Sequence, residues 1–223
     1  MRPSPQLLRL LQLASPALPV GAFAYSQGLE WGAEHGLEDE AAAASWIFGV
    51  MEHGPARLDL PCLIRMHRAW LDDDEAEVRR WSARLLASRE TAELRQEELQ
   101  TGAALARLLR DLDLDEAGAW TTFPRRTFAA LFALAGARWG IETGDLSAAL
   151  LFAWAENQAA AAIKLVPLGQ TSGQRILSGA AGLIPGLVEL ALELPDAEVG
   201  GTAPGQVMAS ALHEIQRTRL FRS

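Results

Sequence analysis

Apolar residues recur every three to four positions along almost the whole chain, and this spacing predicts α-helices. Leu60, Leu63 and Ile64, for example, share one face of a segment that runs from 58 to 71. β-Branched residues are scarce, and no stretch alternates between apolar and polar residues as a half-buried strand would. The sequence therefore predicts an all-α fold, a single-domain bundle of about ten helices with a C-terminal helical tail.

Prolines and glycines divide this helical pattern into segments. We expect a helix to begin at Phe123-Pro124, because proline is well tolerated in a first helical turn. The stretch 144–166 is apolar almost all round, which predicts a helix at the centre of the bundle. We expect Pro185-Gly186 to kink or divide the helix that follows.

Residues 195–205 have the composition of a linker, with three glycines and two prolines in the run PDAEVGGTAPG. Beyond them, Met208, Leu212 and Ile215 lie at helical spacing, and the chain ends in basic residues. An amphipathic helix behind a linker favours a segment that docks into a partner's groove, the alternative being a frayed terminus. The predicted division is a core at 1–194, a linker at 195–205 and a partner-docking tail at 206–223.

Charge and cysteine content limit the partners and the compartment. The chain of 223 residues has 20 basic and 28 acidic residues and a net charge of −8, which disfavours nucleic acid as a partner. Cys62 is the only cysteine, so no disulfide can form within the chain, and a reducing compartment is favoured. No run of about 18 apolar residues lacks a charge, so we expect no membrane span and a cytoplasmic location.

Recognisable catalytic and metal-binding patterns are missing from the sequence. No two of its four histidines stand three or four positions apart, as paired metal ligands on a helix often do. There is neither a phosphate-binding loop ending in Gly-Lys-Ser/Thr nor a G-x-S-x-G nucleophile motif. The sequence therefore predicts no catalytic residue, no metal site and no cofactor.

Two polar groupings each allow two interpretations. The charged segment, residues 89–98 (RETAELRQEE), is either a solvated helix with weak ion pairs or an interaction surface. Lys164, the only lysine, either complements the C-terminal dipole of an apolar helix or makes a functional contact where that helix ends.

A third feature is the signature segment, residues 15–30, which reads SPALPVGAFAYSQGLE. This segment resembles the N-terminal motif of the urease accessory protein F (UreF) family. RETAELRQEELQTGAALARLL, KLVPLGQTSGQRIL and HEIQRTRLFRS resemble three further motifs of that family, in the same order along the chain. Ala22 stands where the family often has a second glycine.

The resemblance implies an all-α, dimeric protein that is not itself an enzyme. Such proteins join a UreD-type protein (UreH in some organisms) and the GTPase UreG in the complex that delivers nickel to apo-urease. The resemblance also implies partner-facing or supporting roles for these residues: Tyr25, Ser26, Gly28 and Glu30 in the signature segment; Arg89, Glu90, Thr91, Glu93, Arg95, Glu97 and Glu98 in the charged segment; Lys164 and Gln170; and Arg217, Arg219, Leu220 and Phe221 in the tail.

Two other interpretations of the residues remain open at this point. One is a small all-α enzyme that uses Glu30, Glu93 and Lys164 in a cavity of the bundle. The other is a helical adaptor unrelated to urease.

Overall fold

The computed structural model describes residues 4–223, and all of its regular structure is helical within that range. The eleven α-helices are α1 (Pro5–Ala14), α2 (Leu29–Glu34), α3 (Glu40–His53), α4 (Asp59–Leu71), α5 (Glu75–Ala87), α6 (Ala92–Asp111), α7 (Ala117–Trp120), α8 (Phe128–Arg138), α9 (Thr143–Leu165), α10 (Gln170–Glu193) and α11 (Pro204–His213). Two short 3-10 helices lie at Ala22–Ala24 and Asp196–Glu198. The all-α prediction is confirmed.

The centre of the bundle is α8, whose residues from Ala129 to Ala137 are all buried. Helices α4, α5, α6 and α9 pack around it, and small residues allow close approaches. A Cβ at Gly102 of α6 would lie 2.9 Å from the carbonyl carbon of Thr127, just before α8 begins. The predicted central helix 144–166 corresponds to α9, which packs against six other helices but is less completely buried than α8, since residues such as Phe152 and Trp154 are only half-buried.

A local cap and one long-range contact set the start of α8. The helix begins at Phe128 and not at Phe123-Pro124, since Thr127 caps it by accepting a hydrogen bond from the Ala130 N–H at 3.3 Å. The Glu98 carboxylate accepts a second one from the Phe128 N–H at 2.8 Å. Glu98 is 30 residues away in sequence, so local patterns could not reveal its contact.

Helix α10 runs without interruption through Pro185, so of the two predicted outcomes the division was wrong and the kink stays a prediction. Pro185 is exposed, whereas Ile184 and Val188 on either side of it are buried and hold the helix against the bundle. By length and composition alone α10 could span a membrane, with a mean hydropathy of 1.5 in its most apolar window. It packs along α9, α4 and α3, however, and is therefore a member of the bundle.

The predicted linker lies against α4 and α5. Arg65 donates to the Asp196 carboxylate at 2.7 Å, and Arg84 donates to the Val199 carbonyl at 2.6 Å. The N–H of Gly200 donates to the carbonyl of Arg57 at 3.0 Å. These contacts position α11 beside α2 and α6. The division into a core, a linker and a tail stays a prediction.

Candidate functional site

The signature segment turns sharply before it enters α2. Gln27 and Gly28 both have a positive φ, 54° and 86°, which is costly for most residues and easy for glycine. A Cβ on Gly28 would lie only 2.9 Å from the Ser210 nitrogen of α11. Glycine at 28 therefore allows both the turn and the close contact between α2 and α11.

The polar groups at this turn bind within the protein. Tyr25 is buried, and its hydroxyl donates to Gln100 of α6 at 2.5 Å. Ser26 is also buried, and both its N–H and its hydroxyl donate to the carbonyl of Ser223, at 2.6 and 2.5 Å. The signature segment thus holds the last residue of the chain.

Glu30 is the centre of this arrangement. Its carboxylate, only 4% exposed as a residue, accepts hydrogen bonds from the N–H groups of Leu220 at 2.6 Å and Phe221 at 2.9 Å. The same carboxylate lies 3.1 Å from Nε2 of His213, the last residue of α11. Glu30 therefore binds the terminal segment, residues 214–223, at two backbone groups and contacts the helix that precedes it.

The charged segment reaches the same place through two residues. Glu93 lies 2.8 Å from Nδ1 of His213 and accepts a hydrogen bond from Arg219 at 2.8 Å. Thr91 caps α6, and its hydroxyl lies 2.8 Å from that of Ser210 in α11. Three of the four motifs therefore meet at one site.

The fourth motif contacts the terminal segment through Lys164 and Ile176. The ammonium group of Lys164 lies 5.5 Å from the centre of the Phe221 ring, a cation–π distance. Phe221 itself is buried against a cluster that includes Leu29 and Ile176. Gln170 is exposed at the start of α10.

Arg89 and Glu98 form a second, structural network. Arg89 binds Glu98 through two hydrogen bonds and the Asp59 carboxylate of α4 through two more. Burial lowers the pKa of Arg89, but the two carboxylates raise it more, so that it stands well above its ordinary value. This network joins the starts of α4 and α8 to α6, and these two residues support the fold from inside.

The remaining candidates lie at the surface or at its edge. Glu97 is half-buried as a residue, but its carboxylate points inward: Oε1 accepts a hydrogen bond from Gln27 at 2.9 Å, and Oε2 is buried with no hydrogen-bond partner. Arg95 is exposed and donates to the carbonyl of Leu86. Three more candidates are also exposed: Glu90, Arg217 and Leu220.

Glu97 should make the stability of the protein depend on pH. Burial raises its carboxyl pKa to about 8, although the Gln27 hydrogen bond and Arg89 act in the opposite direction. The unfolded chain releases this proton near pH 4.3, so the stability falls as the pH rises from about 4.5 to 8. Glu97→Gln should abolish this dependence on pH. The free energy of unfolding of the variant minus that of the wild type should therefore increase by up to about 1.4 kcal/mol for each pH unit in this range.

Urea unfolding at several pH values in that window measures this difference. The matched control is Glu90→Gln, which removes an exposed carboxylate from the same segment. A pH-independent difference for Glu97→Gln would contradict the prediction.

Sequence patterns did not reveal His213, Ser210, Gln27 or Ser223 as parts of this site. His213 contacts residues that are 183 and 120 positions away, so no local spacing identifies it. The only available signal was its place at the start of the motif HEIQRTRLFRS.

Glu30, Glu93 and Lys164 do not line one cavity together. A groove of about 240 Å³ has a lining that includes Phe23 and Trp154 but none of these three residues. A second, more open hollow of about 370 Å³ is lined by Glu93 but by neither Glu30 nor Lys164. Within residues 4–223 no group of three or more histidine, cysteine, aspartate or glutamate side chains is placed to hold a metal ion. The arrangement that the structure does build is a docking site for the chain's own terminal segment.

Comparison with known proteins identifies the family. The UreF family model matches residues 37–181. A urease accessory protein UreF from Alkalilimnicola ehrlichii is 51% identical over 216 residues, which cover 96% of this chain and 95% of the relative. UreF from Azoarcus sp. is 50% identical over 97% of this chain and 95% of the relative. UreF from Methylobacillus flagellatus is 46% identical over the whole length of both chains. The chain therefore belongs to the UreF family of urease accessory proteins.

Proposed function

We propose that this chain joins a UreD/UreH-type protein to the GTPase UreG in the assembly that matures apo-urease, and that its tail makes the contact with the UreD/UreH-type partner. Family membership supports a role in urease maturation. The convergence of the signature segment, the charged segment and the tail supports a single binding region that includes residues from all three.

The observation that carries the tail proposal is a row of exposed apolar side chains. Met208, Leu212 and Ile215 are 62%, 40% and 78% exposed on α11 and just beyond it. Leu220, in the terminal segment, is also exposed, at 67%. Exposed apolar patches on a folded protein mark interaction sites, because burying them on a partner is favourable. Glu30 and His213 hold the surface in a fixed orientation from beneath.

A role in nickel delivery and GTPase regulation fits the chemistry of the described residues. The sequence has no phosphate-binding loop, so the nucleotide would be held by UreG. Nickel is cargo in this proposal, and the chain acts by organising its partners in the cytoplasm. The exposed Leu7, Leu8 and Leu11 of α1 offer an apolar surface for a homodimer, which we also propose.

Substitution in the apolar row tests the proposal. Leu212→Asp combined with Ile215→Asp should reduce capture of the UreD/UreH-type partner more than tenfold, since each change places a charge where apolar burial is expected. The helical content and the melting temperature should stay unchanged, because both side chains are exposed. Capture by pull-down and urease activity in a host that lacks the native gene are the measurements.

The matched control is Leu71→Asp, which alters an equally exposed leucine at the end of α4, away from the tail. Undiminished capture by the double variant would overturn the tail proposal. Normal urease activity in the host without the gene would overturn the role in maturation.

A further inference from the structure

One sulfur atom belongs to the exposed face of α11. Met208 is 62% exposed and stands first in the apolar row, followed by Leu212 and Ile215. The opposite face of the helix is buried, and there Ser210 Oγ lies 2.8 Å from the hydroxyl of Thr91. Contacts of that buried face hold α11 in place, so the side chain of Met208 is free to meet molecules in solution.

The other sulfur atoms of residues 4–223 are protected. Met51 and Met66 are 0% exposed, and Cys62 is buried as well. Burial raises the pKa of the Cys62 thiol to about 12, so its reactive thiolate is scarcely populated at neutral pH. A thioether needs no ionisation to react, and access decides how fast it is oxidised. Within the described part of the chain, Met208 is therefore the sulfur that an oxidant reaches first.

A peroxide converts such a thioether into a sulfoxide. A sulfur lone pair attacks one oxygen of hydrogen peroxide and the O–O bond breaks. The attacked oxygen stays on sulfur and passes its proton to the other oxygen, which leaves as water. Sulfur is oxidised by two electrons and the peroxide is reduced by two. Methionine sulfoxide reductases reverse the change, with two thiols oxidised to a disulfide and the oxygen released as water.

Oxidation would change the character of the apolar row. A sulfoxide is polar, and its oxygen accepts hydrogen bonds strongly. Burying that oxygen against an apolar surface without a donor is unfavourable, and the gain from burying the thioether is lost as well. An oxidised Met208 therefore opposes the burial that Leu212 and Ile215 favour.

We propose that Met208 is a modification site, at which a peroxide forms methionine sulfoxide and thereby weakens the binding of the tail to its partner. This regulation rests on the proposed function, because it requires the UreD/UreH-type partner to cover the apolar row. The unassembled chain is the form that reacts, since the same contact shields Met208 in the assembly. Peroxide then limits new assembly and spares complexes that already exist.

The experiment oxidises the isolated full-length chain and then measures capture. Hydrogen peroxide is added, removed with catalase, and the modified residues are mapped by mass spectrometry. Met208 should gain one oxygen atom while Met51 and Met66 remain unmodified. Capture of the purified UreD/UreH-type partner should then fall by about tenfold or more, with an unchanged melting temperature. Treatment with methionine sulfoxide reductases should restore capture.

Two variants assign the effect to this side chain. Met208→Leu keeps an apolar side chain but has no sulfur, so the ratio of its capture after peroxide to its capture before should be close to one. Met208→Gln places a polar group of similar length there, so its capture should be low both before and after treatment. The ratio is taken within each protein, which separates oxidation from any effect of the substitution itself.

Four results would overturn the proposal. They are oxidation of Met51 or Met66 before Met208, undiminished capture by a chain oxidised at Met208, a loss of capture that the reductases do not reverse, and an equal loss in Met208→Leu. Failure of the untreated wild type to capture the partner would instead overturn the proposed contact of the tail, and this regulation with it.

Discussion

Arg89→Ala should lower the free energy of unfolding by about 3–5 kcal/mol, the range seen when one partner of a buried ion pair is removed. The Arg89 side chain is only 17% exposed and binds two carboxylates that are 17% and 7% exposed. Without it, Asp59 and Glu98 are left facing each other with no cation between them. Since Glu98 also binds the first N–H of α8, the damage should extend to the centre of the bundle.

Urea or thermal unfolding measures the loss, and two further variants make the test specific. Arg89→Lys should lose less, because an ammonium group keeps the charge but cannot bind two carboxylates in paired geometry. Arg107→Ala removes an exposed arginine from α6, the helix that carries Glu98, and should cost less than about 0.5 kcal/mol. If Arg89→Ala is no worse than Arg107→Ala, the network does not stabilise the fold.

The Arg89 network also separates supporting residues from candidate contact residues in the charged segment. Arg89 and Glu98 are held inside, whereas Glu90 and Arg95 are exposed on neighbouring turns. A partner can therefore contact Glu90 and Arg95 directly. Arg89 and Glu98 affect binding only by stabilising the fold of this segment. The alternating charges looked alike in the sequence, because the carboxylate that fixes Arg89 lies 30 residues earlier at Asp59.

The spacing of apolar residues was sufficient to predict the fold class. Each helix buries one face, so its apolar residues recur every three to four positions in the sequence. The helical period did not predict which helix is buried most completely. The alanines and the glycine of α8 allow neighbouring helices to pack close to it, which places α8 at the centre. Such small residues are only weakly apolar, so the spacing of apolar residues does not identify them as the most buried. The uninterrupted course of α10 through Pro185 likewise depends on the packing of Ile184 and Val188, which the proline itself does not reveal.

The candidate site was predictable only in part, for a similar reason. Resemblance selected Glu30, Glu93 and Arg219 one at a time, each within its own motif. His213 is the common partner of Glu30 and Glu93, Arg219 binds Glu93, and all of these contacts span more than 100 positions. A cluster assembled from three helix ends and a chain terminus leaves no periodic signal, so its geometry had to come from the structure.

Glu30→Ala should release the terminal segment while leaving the bundle folded. The change removes the acceptor for two backbone N–H groups and the contact with His213 Nε2. Hydrogen bonds to a charged group contribute about 1.5–3 kcal/mol each, so losing two should weaken docking by a factor on the order of 100 or more. Amide exchange of Leu220 and Phe221 should become fast, while α8 stays protected.

The same variant connects the buried cluster to assembly. If the terminal segment must be held for the apolar row on α11 to be presented, Glu30→Ala should also lose capture of the UreD/UreH-type partner, although it changes no exposed residue. Glu38→Ala, at an exposed site in the loop before α3, should retain both protection and capture. A Glu30→Ala protein with a released terminal segment and full capture would show that the partner recognises the tail without this support. One that keeps the segment protected would show that Ser26, Arg219 and the burial of Phe221 are enough to hold it.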